Sequence, residues 1–86
     1  LSGENIMNKI FITYDGKIDD KEITKFIRAI KRIAGKDNWE PTLSNQFLIK
    51  TRLSVGELSA RLLEINQNLP FSIVETSEYS VNQTNH

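Results

Sequence analysis

Apolar residues follow two different periods along this 86-residue chain. Some stretches carry β-branched and aromatic residues in or near alternation, which is typical of strands. Others carry apolar residues three and four positions apart, which is typical of helices. In chain order the patterns predict β-α-β-β-α-β, with strands over Lys9–Tyr14, Trp39–Leu43, Phe47–Leu53 and Phe71–Thr76, the last resuming at Tyr79–Val81.

Two helices are predicted between these strands, each with a recognisable beginning. The first begins after Asp19, which can cap it while Glu22 reaches back, and it ends at Gly35 in a left-handed conformation. The second begins after Ser54, which forms a capping-box pattern with Glu57. Each helix has an apolar stripe that can face a sheet. The stripes are Ile23, Phe26, Ile27, Ile30, Ile33 and Ala34, then Val55, Leu58, Leu62, Ile65 and Leu69.

The order of elements predicts an α+β domain of the ferredoxin-like type. Two βαβ crossovers folded together give a four-stranded antiparallel sheet with both helices on one face. The first and third strands are apolar on both sides, so we expect them in the middle of the sheet. An apolar and cationic sheet face is seldom left bare, so we expect a partner on the face without helices, called the outer face. It is predicted to show Phe11, Thr13, Leu48, Lys50, Arg52 and part of the fourth strand.

Length and composition predict one small domain over residues 7–81. Residues 1–6, before Met7, are interpreted as an expression tag or disordered N-terminus, and residues 82–86 as a frayed polar tail. The chain has no cysteine, so no disulfide supports its thin core, and small domains of this kind often dimerise. No signal peptide and no apolar run of ~20 residues is found, which predicts a cytoplasmic protein without a membrane partner.

Charge balance and residue types argue against several classes of site. Lys and Arg equal Asp and Glu at 11 each, so net charge by itself indicates no nucleic-acid partner. His86 is the only histidine and lies in the tail, which argues against a Ser-His-Asp triad and a histidine metal cluster. No Gly-rich phosphate loop is present. We therefore expect neither a nucleotide cofactor nor haem.

Asp15 is the candidate metal ligand. It stands at the tip of the first strand, directly before Gly16, where the chain turns. Hard cations such as Mg²⁺ take carboxylate oxygens, and a single carboxylate leaves room for water and phosphate oxygens. In a twofold dimer, two copies of Asp15 would share one site. The structural alternative is that Asp15 is an ordinary turn residue.

The first helix is the more cationic of two candidate nucleic-acid surfaces. Between Lys21 and Lys36 the chain carries six cations and one acid. At helical spacing, four of these cations share one face, which can contact phosphates or simply face solvent. They are Lys21, Lys25, Arg28 and Arg32. Residues 54–86 carry more acidic than basic side chains. The cationic face of the first helix would therefore also suit contact with this region of a second protomer.

The second candidate surface is the predicted outer face, where Lys50 and Arg52 accompany Phe11 and Leu48. Sheets that bind RNA combine cations with aromatic residues that stack on bases. Only Phe11 is well placed for stacking in this pattern. A dimer interface explains the same residues equally well.

Two stretches resemble known small proteins. Phe11–Asp15 resembles the end of the first strand in small CRISPR-associated ferredoxin-like proteins that accompany the spacer integrase. The stretch Trp39-x-Pro41, followed by Gln46–Ser54, resembles short bacterial proteins described as SinR-like. The layout is also similar to the GhoS antitoxin, a ferredoxin-like ribonuclease that cleaves a toxin's messenger RNA. The resemblance covers most of residues 10–76.

The resemblance implies a homodimer, a ferredoxin-like fold and a role with nucleic acid. In the CRISPR-associated family the Asp at this strand end is the proposed ligand of a metal-dependent nuclease, and that role transfers only to Asp15. Family members dimerise with help from a C-terminal strand, for which Tyr79–Val81 is the counterpart. Many of them are structural dimers that grip DNA rather than enzymes.

These observations lead to a hypothesis with two alternatives. The hypothesis is a homodimeric Mg²⁺-dependent endoribonuclease with Asp15 as metal ligand and catalytic residue. Its nucleic-acid contacts would be Lys25, Arg28, Arg32, Lys50 and Arg52, which lie on two different faces and cannot all serve one site. The alternatives are a protein-interaction module without enzymatic activity and a regulatory domain for a small molecule. Fold alone does not choose among them.

Overall fold

The computed structural model describes residues 7–79 and 81. The predicted N-terminal segment 1–6 and the predicted tail 82–86 lie outside the described residues. The elements follow the predicted order β-α-β-β-α-β. Their bounds are β1 Asn8–Tyr14, α1 Asp20–Ala34, β2 Trp39–Leu43, β3 Gln46–Thr51, α2 Val55–Ile65 and β4 Phe71–Thr76.

The strands form one antiparallel sheet in the order β2-β3-β1-β4. This order confirms the ferredoxin-like α+β prediction and the central position of β1 and β3. In the register of β1, Ile10 lies opposite Ile49 of β3, and Phe11 lies between Leu48 of β3 and Val74 of β4. Because side chains alternate along a strand, this register puts Ile10 on the helix side and Phe11 on the outer face.

The core lies between the sheet and the two helices. Ile10 and Ile12 of β1, Phe26 of α1 and Leu58 and Leu62 of α2 are all 0% exposed. Burying such side chains is the main favourable contribution to folding, at roughly 1.5–3 kcal/mol for each large apolar side chain. The two helical stripes predicted from spacing therefore both face this sheet, although Ile65 stays 37% exposed at the end of α2.

The helix ends confirm one predicted cap and correct two others. Ser54 and Glu57 form the predicted capping box in full. Asp19 is the N-cap residue of α1, but its side chain makes no capping hydrogen bond. The Glu22 carboxylate instead accepts a hydrogen bond of 2.9 Å from the side-chain amide of Asn66, so the predicted box at α1 is wrong. Gly35 has a φ of 86° and a ψ of 167°, which lies outside the predicted left-handed helical region.

Two predicted strand ends are also wrong. β3 ends at Thr51, because the Thr51 hydroxyl accepts a hydrogen bond from the Leu53 amide and turns the chain toward α2. β4 does not resume, since Tyr79 and Val81 are both outside any strand. Tyr79 packs instead on the outer face, with its ring edge-to-face against Phe11 at 5.4 Å between centroids.

Neither helix in the described part of the chain is long and apolar enough to cross a bilayer.

Candidate nucleic-acid interface

A row of four cations runs along the exposed side of α1, and we call it the cationic row. All four side chains are exposed, while Phe26 and Ile30 on the opposite side of the helix are fully buried. The arrangement follows from spacing, because residues three and four apart share one face of a helix. The row consists of Lys21, Lys25, Arg28 and Arg32.

The cationic row borders a groove of about 590 Å³. Ala29 and Ile33 of α1 and Ile65 of α2 provide its apolar lining, and Asp20 is its one acidic residue among those described. Along the helix axis the row spans about 16 Å, since an α-helix rises ~1.5 Å per residue. Among the residues that the structure describes, no ion pair occupies these four cations. The groove therefore combines an apolar lining with an extended positive edge.

Lys31 lies on α1 as well but does not belong to the cationic row. Its ammonium nitrogen lies 4.4 Å from the centroid of the Trp39 ring, in a cation–π contact between α1 and β2. Trp39 also packs at 6.1 Å from Phe47 of the core. The Trp39 ring thus serves packing, as its place beside the core suggests.

The outer sheet face carries a second, separate group of cations. Lys9 of β1 and Lys50 of β3 are opposed in the register, next to the opposed pair Phe11 and Leu48. Leu48 lies on this face as predicted, but it is only 2% exposed rather than open to solvent. Arg52 follows β3 in the bend before α2 and is exposed.

The cationic row and the outer-face cations lie in different layers of the domain. Lys25, Arg28 and Arg32 belong to the helix layer, whereas Lys50 points away from it across the sheet. This placement agrees with the expectation that the predicted contacts cannot all serve one site. A ligand that uses one group does not reach the other without passing around an edge of the sheet.

Asp15 lies at the tip of β1 in a hydrogen-bonded turn. Its carboxylate oxygen accepts a bond of 2.9 Å from the Lys17 amide, and its own amide donates to the Pro70 carbonyl at 3.0 Å. The turn role of Asp15 is therefore present in the structure. Within residues 7–79 and 81, no three Asp, Glu, His or Cys side chains form a group that could hold a metal ion. A Mg²⁺ site at Asp15 would need ligands from a second copy or from a bound phosphate.

The strand tip beside Asp15 is firmly held. Tyr14 exchanges hydrogen bonds with Asn45, through the Tyr14 amide at 3.0 Å and the Asn45 side-chain amide at 2.9 Å. The Tyr14 hydroxyl donates to the Ser44 carbonyl at 3.4 Å, and burial raises the pKa of this hydroxyl above its usual value. Tyr14 therefore stays protonated at neutral pH and acts as a structural donor.

Sequence reasoning missed two residues of the outer face, Lys9 and Tyr79. Lys9 could have been found, because it is two residues from Phe11 and strand alternation puts both side chains on one face. Tyr79 could not, since its position depends on how the chain returns after β4. Lys21 was recognised as part of the cationic face of the first helix but was not included among the expected nucleic-acid contacts.

No protein-family model, curated protein or solved structure matches this chain. The features that bear on function are the cationic row, the opposed lysines of the outer face and the carboxylate of Asp15 in its turn.

Proposed function

We propose that this protein binds RNA or DNA through the cationic row of α1, as a homodimeric nucleic-acid-associated protein. The observation that supports this proposal most is the set of four exposed cations along one helix face, from Lys21 to Arg32. A phosphate backbone carries regularly spaced negative charge, and its neutralisation by Lys and Arg releases condensed counterions. The release of counterions drives binding of the nucleic acid whatever its nucleotide sequence.

The linear arrangement of the charges favours a polyanion over a small anion. A site for one phosphate brings several donors together around one point, often at a helix N-terminus. The cationic row extends along the helix over about 16 Å at ~1.5 Å per residue, so its members face successive positions of a chain. The apolar lining at Ala29, Ile33 and Ile65 offers contact area to sugars beside the phosphates.

A salt series on matched charge variants tests the binding proposal. The test variant is Lys25→Gln/Arg28→Gln, and the control is Lys17→Gln/Lys36→Gln, which removes two exposed cations outside the row. For duplex ligands we expect the test variant to lower the slope of log affinity against log salt by about 1.8, since each phosphate contact contributes ~0.9. The control should retain most of the slope. Equal slopes in the two variants, or no wild-type binding at low salt, would contradict the proposal.

The catalytic part of the proposal is Mg²⁺-dependent RNA cleavage with Asp15 as metal ligand. In a homodimer, Asp15 from each protomer would hold the ion, which supplies an activated water and neutralises phosphate charge. Asp15→Asn is a suitable test because an Asn oxygen can still accept the hydrogen bond from the Lys17 amide. We expect this variant to bind RNA normally and to lose Mg²⁺-dependent cleavage. Cleavage that survives in Asp15→Asn would remove Asp15 from catalysis.

The apolar lining of the groove favours one alternative function, a protein-interaction module. An acidic amphipathic helix could place apolar residues on Ile33 and Ile65 and carboxylates on the cationic row. This alternative predicts no affinity for RNA or DNA even at low salt. The salt series therefore separates it from the nucleic-acid proposal.

A further inference from the structure

The outer sheet face holds two lysines in an arrangement that is unfavourable without a ligand. Lys9 and Lys50 are directly opposed on β1 and β3. Like charges in this position destabilise a sheet, because side chains of opposed residues are close neighbours. Among the described residues, no carboxylate forms an ion pair with either lysine. An anion bound between them would remove the repulsion.

An aromatic pair lies beside the two lysines. Phe11 lies two residues after Lys9 in β1, on the same face of the sheet, and its ring meets the Tyr79 ring at an interplanar angle of 87°. The Lys9 ammonium lies 6.0 Å from the centroid of Tyr79. Tyr79 is 44% exposed, so much of its surface is open to a ligand. Phe11 contacts Tyr79 from the sheet, and Lys9 neighbours both the Tyr79 ring and, across the strand pair, Lys50.

Gln46 and Thr13, farther along this face, are hydrogen-bonded to each other, while the exposed Glu40 opposite Leu48 and the exposed Ser72 opposite Thr13 also belong to it. The Gln46 side-chain amide donates to the Thr13 hydroxyl at 3.1 Å, and its carbonyl oxygen accepts from the Thr42 hydroxyl at 2.8 Å. These contacts occupy the carbonyl oxygen of Gln46 and one of its amide hydrogens. The surface near Tyr79 therefore offers stacking and positive charge rather than a set of free donors and acceptors for base edges.

We propose that the outer face binds single-stranded nucleic acid, with a base stacked on Tyr79 and a phosphate between Lys9 and Lys50. Aromatic residues bind bases of any type through their faces, and adjacent cations hold the backbone. A duplex keeps its bases stacked internally, so it cannot use Tyr79 in this way. This inference rests on the proposed function and adds a strand-selective surface to the cationic row of α1.

The experiment compares single-stranded and duplex RNA with variants of each surface. The single strand is an oligonucleotide of roughly 10 residues, within the range one small domain covers, with a fluorescent 2-aminopurine base that dims on stacking. The outer-face variants are Lys9→Gln/Lys50→Gln and Tyr79→Ala, with Tyr79→Phe as the control that keeps the ring. The cationic-row variant is Lys25→Gln/Arg28→Gln.

We expect the outer-face variants to weaken binding of the single strand only. Tyr79→Ala should bind it roughly tenfold more weakly and abolish the dimming of 2-aminopurine, whereas Tyr79→Phe should retain both. Lys9→Gln/Lys50→Gln should lower the single-strand salt slope by about 1.4, at ~0.7 for each phosphate contact. Duplex affinity should not change in these variants.

Two results would overturn the inference without affecting the proposed function. One is unchanged single-strand binding in the outer-face variants while Lys25→Gln/Arg28→Gln weakens both ligands. The other is an equal loss of single-strand and duplex affinity in the outer-face variants. Failure of the wild-type protein to bind either ligand would overturn the proposed function and this inference together.

Discussion

Lys9 and Lys50 lie directly opposite each other on the two central strands of the sheet. A cation facing a cation at such a pair is less stable than a cation facing a carboxylate. We therefore expect a single substitution at this pair to raise the stability of the protein and to weaken its binding of single-stranded RNA.

Lys50→Glu should stabilise the folded protein. It replaces repulsion across β1 and β3 with attraction, so the free energy of unfolding should rise by about 0.2–1 kcal/mol. Urea denaturation at low ionic strength measures this change, and added salt should reduce it. Binding of single-stranded RNA should weaken in the same variant. A loss of stability in Lys50→Glu would mean that the two lysines do not repel each other in the folded state.

Asn66→Ala should destabilise the protein by about 1 kcal/mol, because it removes two hydrogen bonds to the partly buried Glu22, while the loss of the buried and unpartnered Asn66 Oδ1 offsets part of the cost. Asn66 is 1% exposed and donates to the carbonyl and the carboxylate of Glu22, at 3.3 and 2.9 Å. Asn68→Ala, two residues further along in an exposed turn, is the control and should change stability by less than about 0.5 kcal/mol. Similar unfolding midpoints for the two variants would show that the Asn66 contacts contribute little.

Gly35→Ala and Gly56→Ala should change stability in opposite directions. Gly35 has a φ of 86° with a ψ of 167°, a conformation that costs a residue with a Cβ about 1–3 kcal/mol. Gly56 lies within α2, and a Cβ there would meet Ser54 Oγ at 3.9 Å, an ordinary contact. Alanine at this site should therefore add roughly 0.4–1 kcal/mol. Thermal unfolding of both variants checks the contrast, and the same sign in both would contradict it.

Glu57 should make the stability of α2 depend on pH. The pKa of its carboxyl is lowered, first by the hydrogen bond from the Ser54 amide and then by the Ser54 hydroxyl, with Arg61 adding attraction. A carboxyl whose pKa is lower in the folded state stabilises above its unfolded pKa and loses that contribution as pH falls through the folded value. The loss should therefore begin near pH 4.5, the ordinary value, and continue below it.

The Glu57→Gln variant isolates this pH effect. Glutamine can still accept hydrogen bonds at the capping position but does not titrate. The difference in free energy of unfolding between wild type and Glu57→Gln should thus shrink as pH falls below 4.5. Ser54→Ala keeps the amide donor at residue 54 and should cost about 1 kcal/mol at neutral pH. A wild-type advantage that is constant with pH would contradict the prediction.

Much of the fold could be predicted from the sequence, because buried residues recur along each strand or helix with the period of that element. Alternation in Ile10–Tyr14 and helical spacing from Ile23 to Ala34 depend only on which side of an element faces the core. The capping box of Ser54 and Glu57 was equally predictable, since its partners are only three residues apart and both of its hydrogen bonds run between them.

Two of the errors occurred where a residue met a competitor from a distant part of the chain. Glu22 does not cap α1, because Asn66 lies 44 residues away in sequence but contacts its carboxylate in the folded protein. Likewise, Tyr79 does not extend β4, because it packs against Phe11 on the outer face. No local pattern contains either contact.

The features of the candidate site also divide into those that the sequence predicts and those that only the tertiary structure creates. The cationic row was visible in the sequence, because the helical period alone brings Lys21, Lys25 and Arg28 to one face. The opposition of Lys9 and Lys50 depends on the register of β1 against β3, which is decided when their apolar residues enter a common core. The position of Tyr79 beside them depends on the path of the chain after β4. Tertiary packing thus created the outer-face arrangement, since it alone brings together residues that are far apart in sequence.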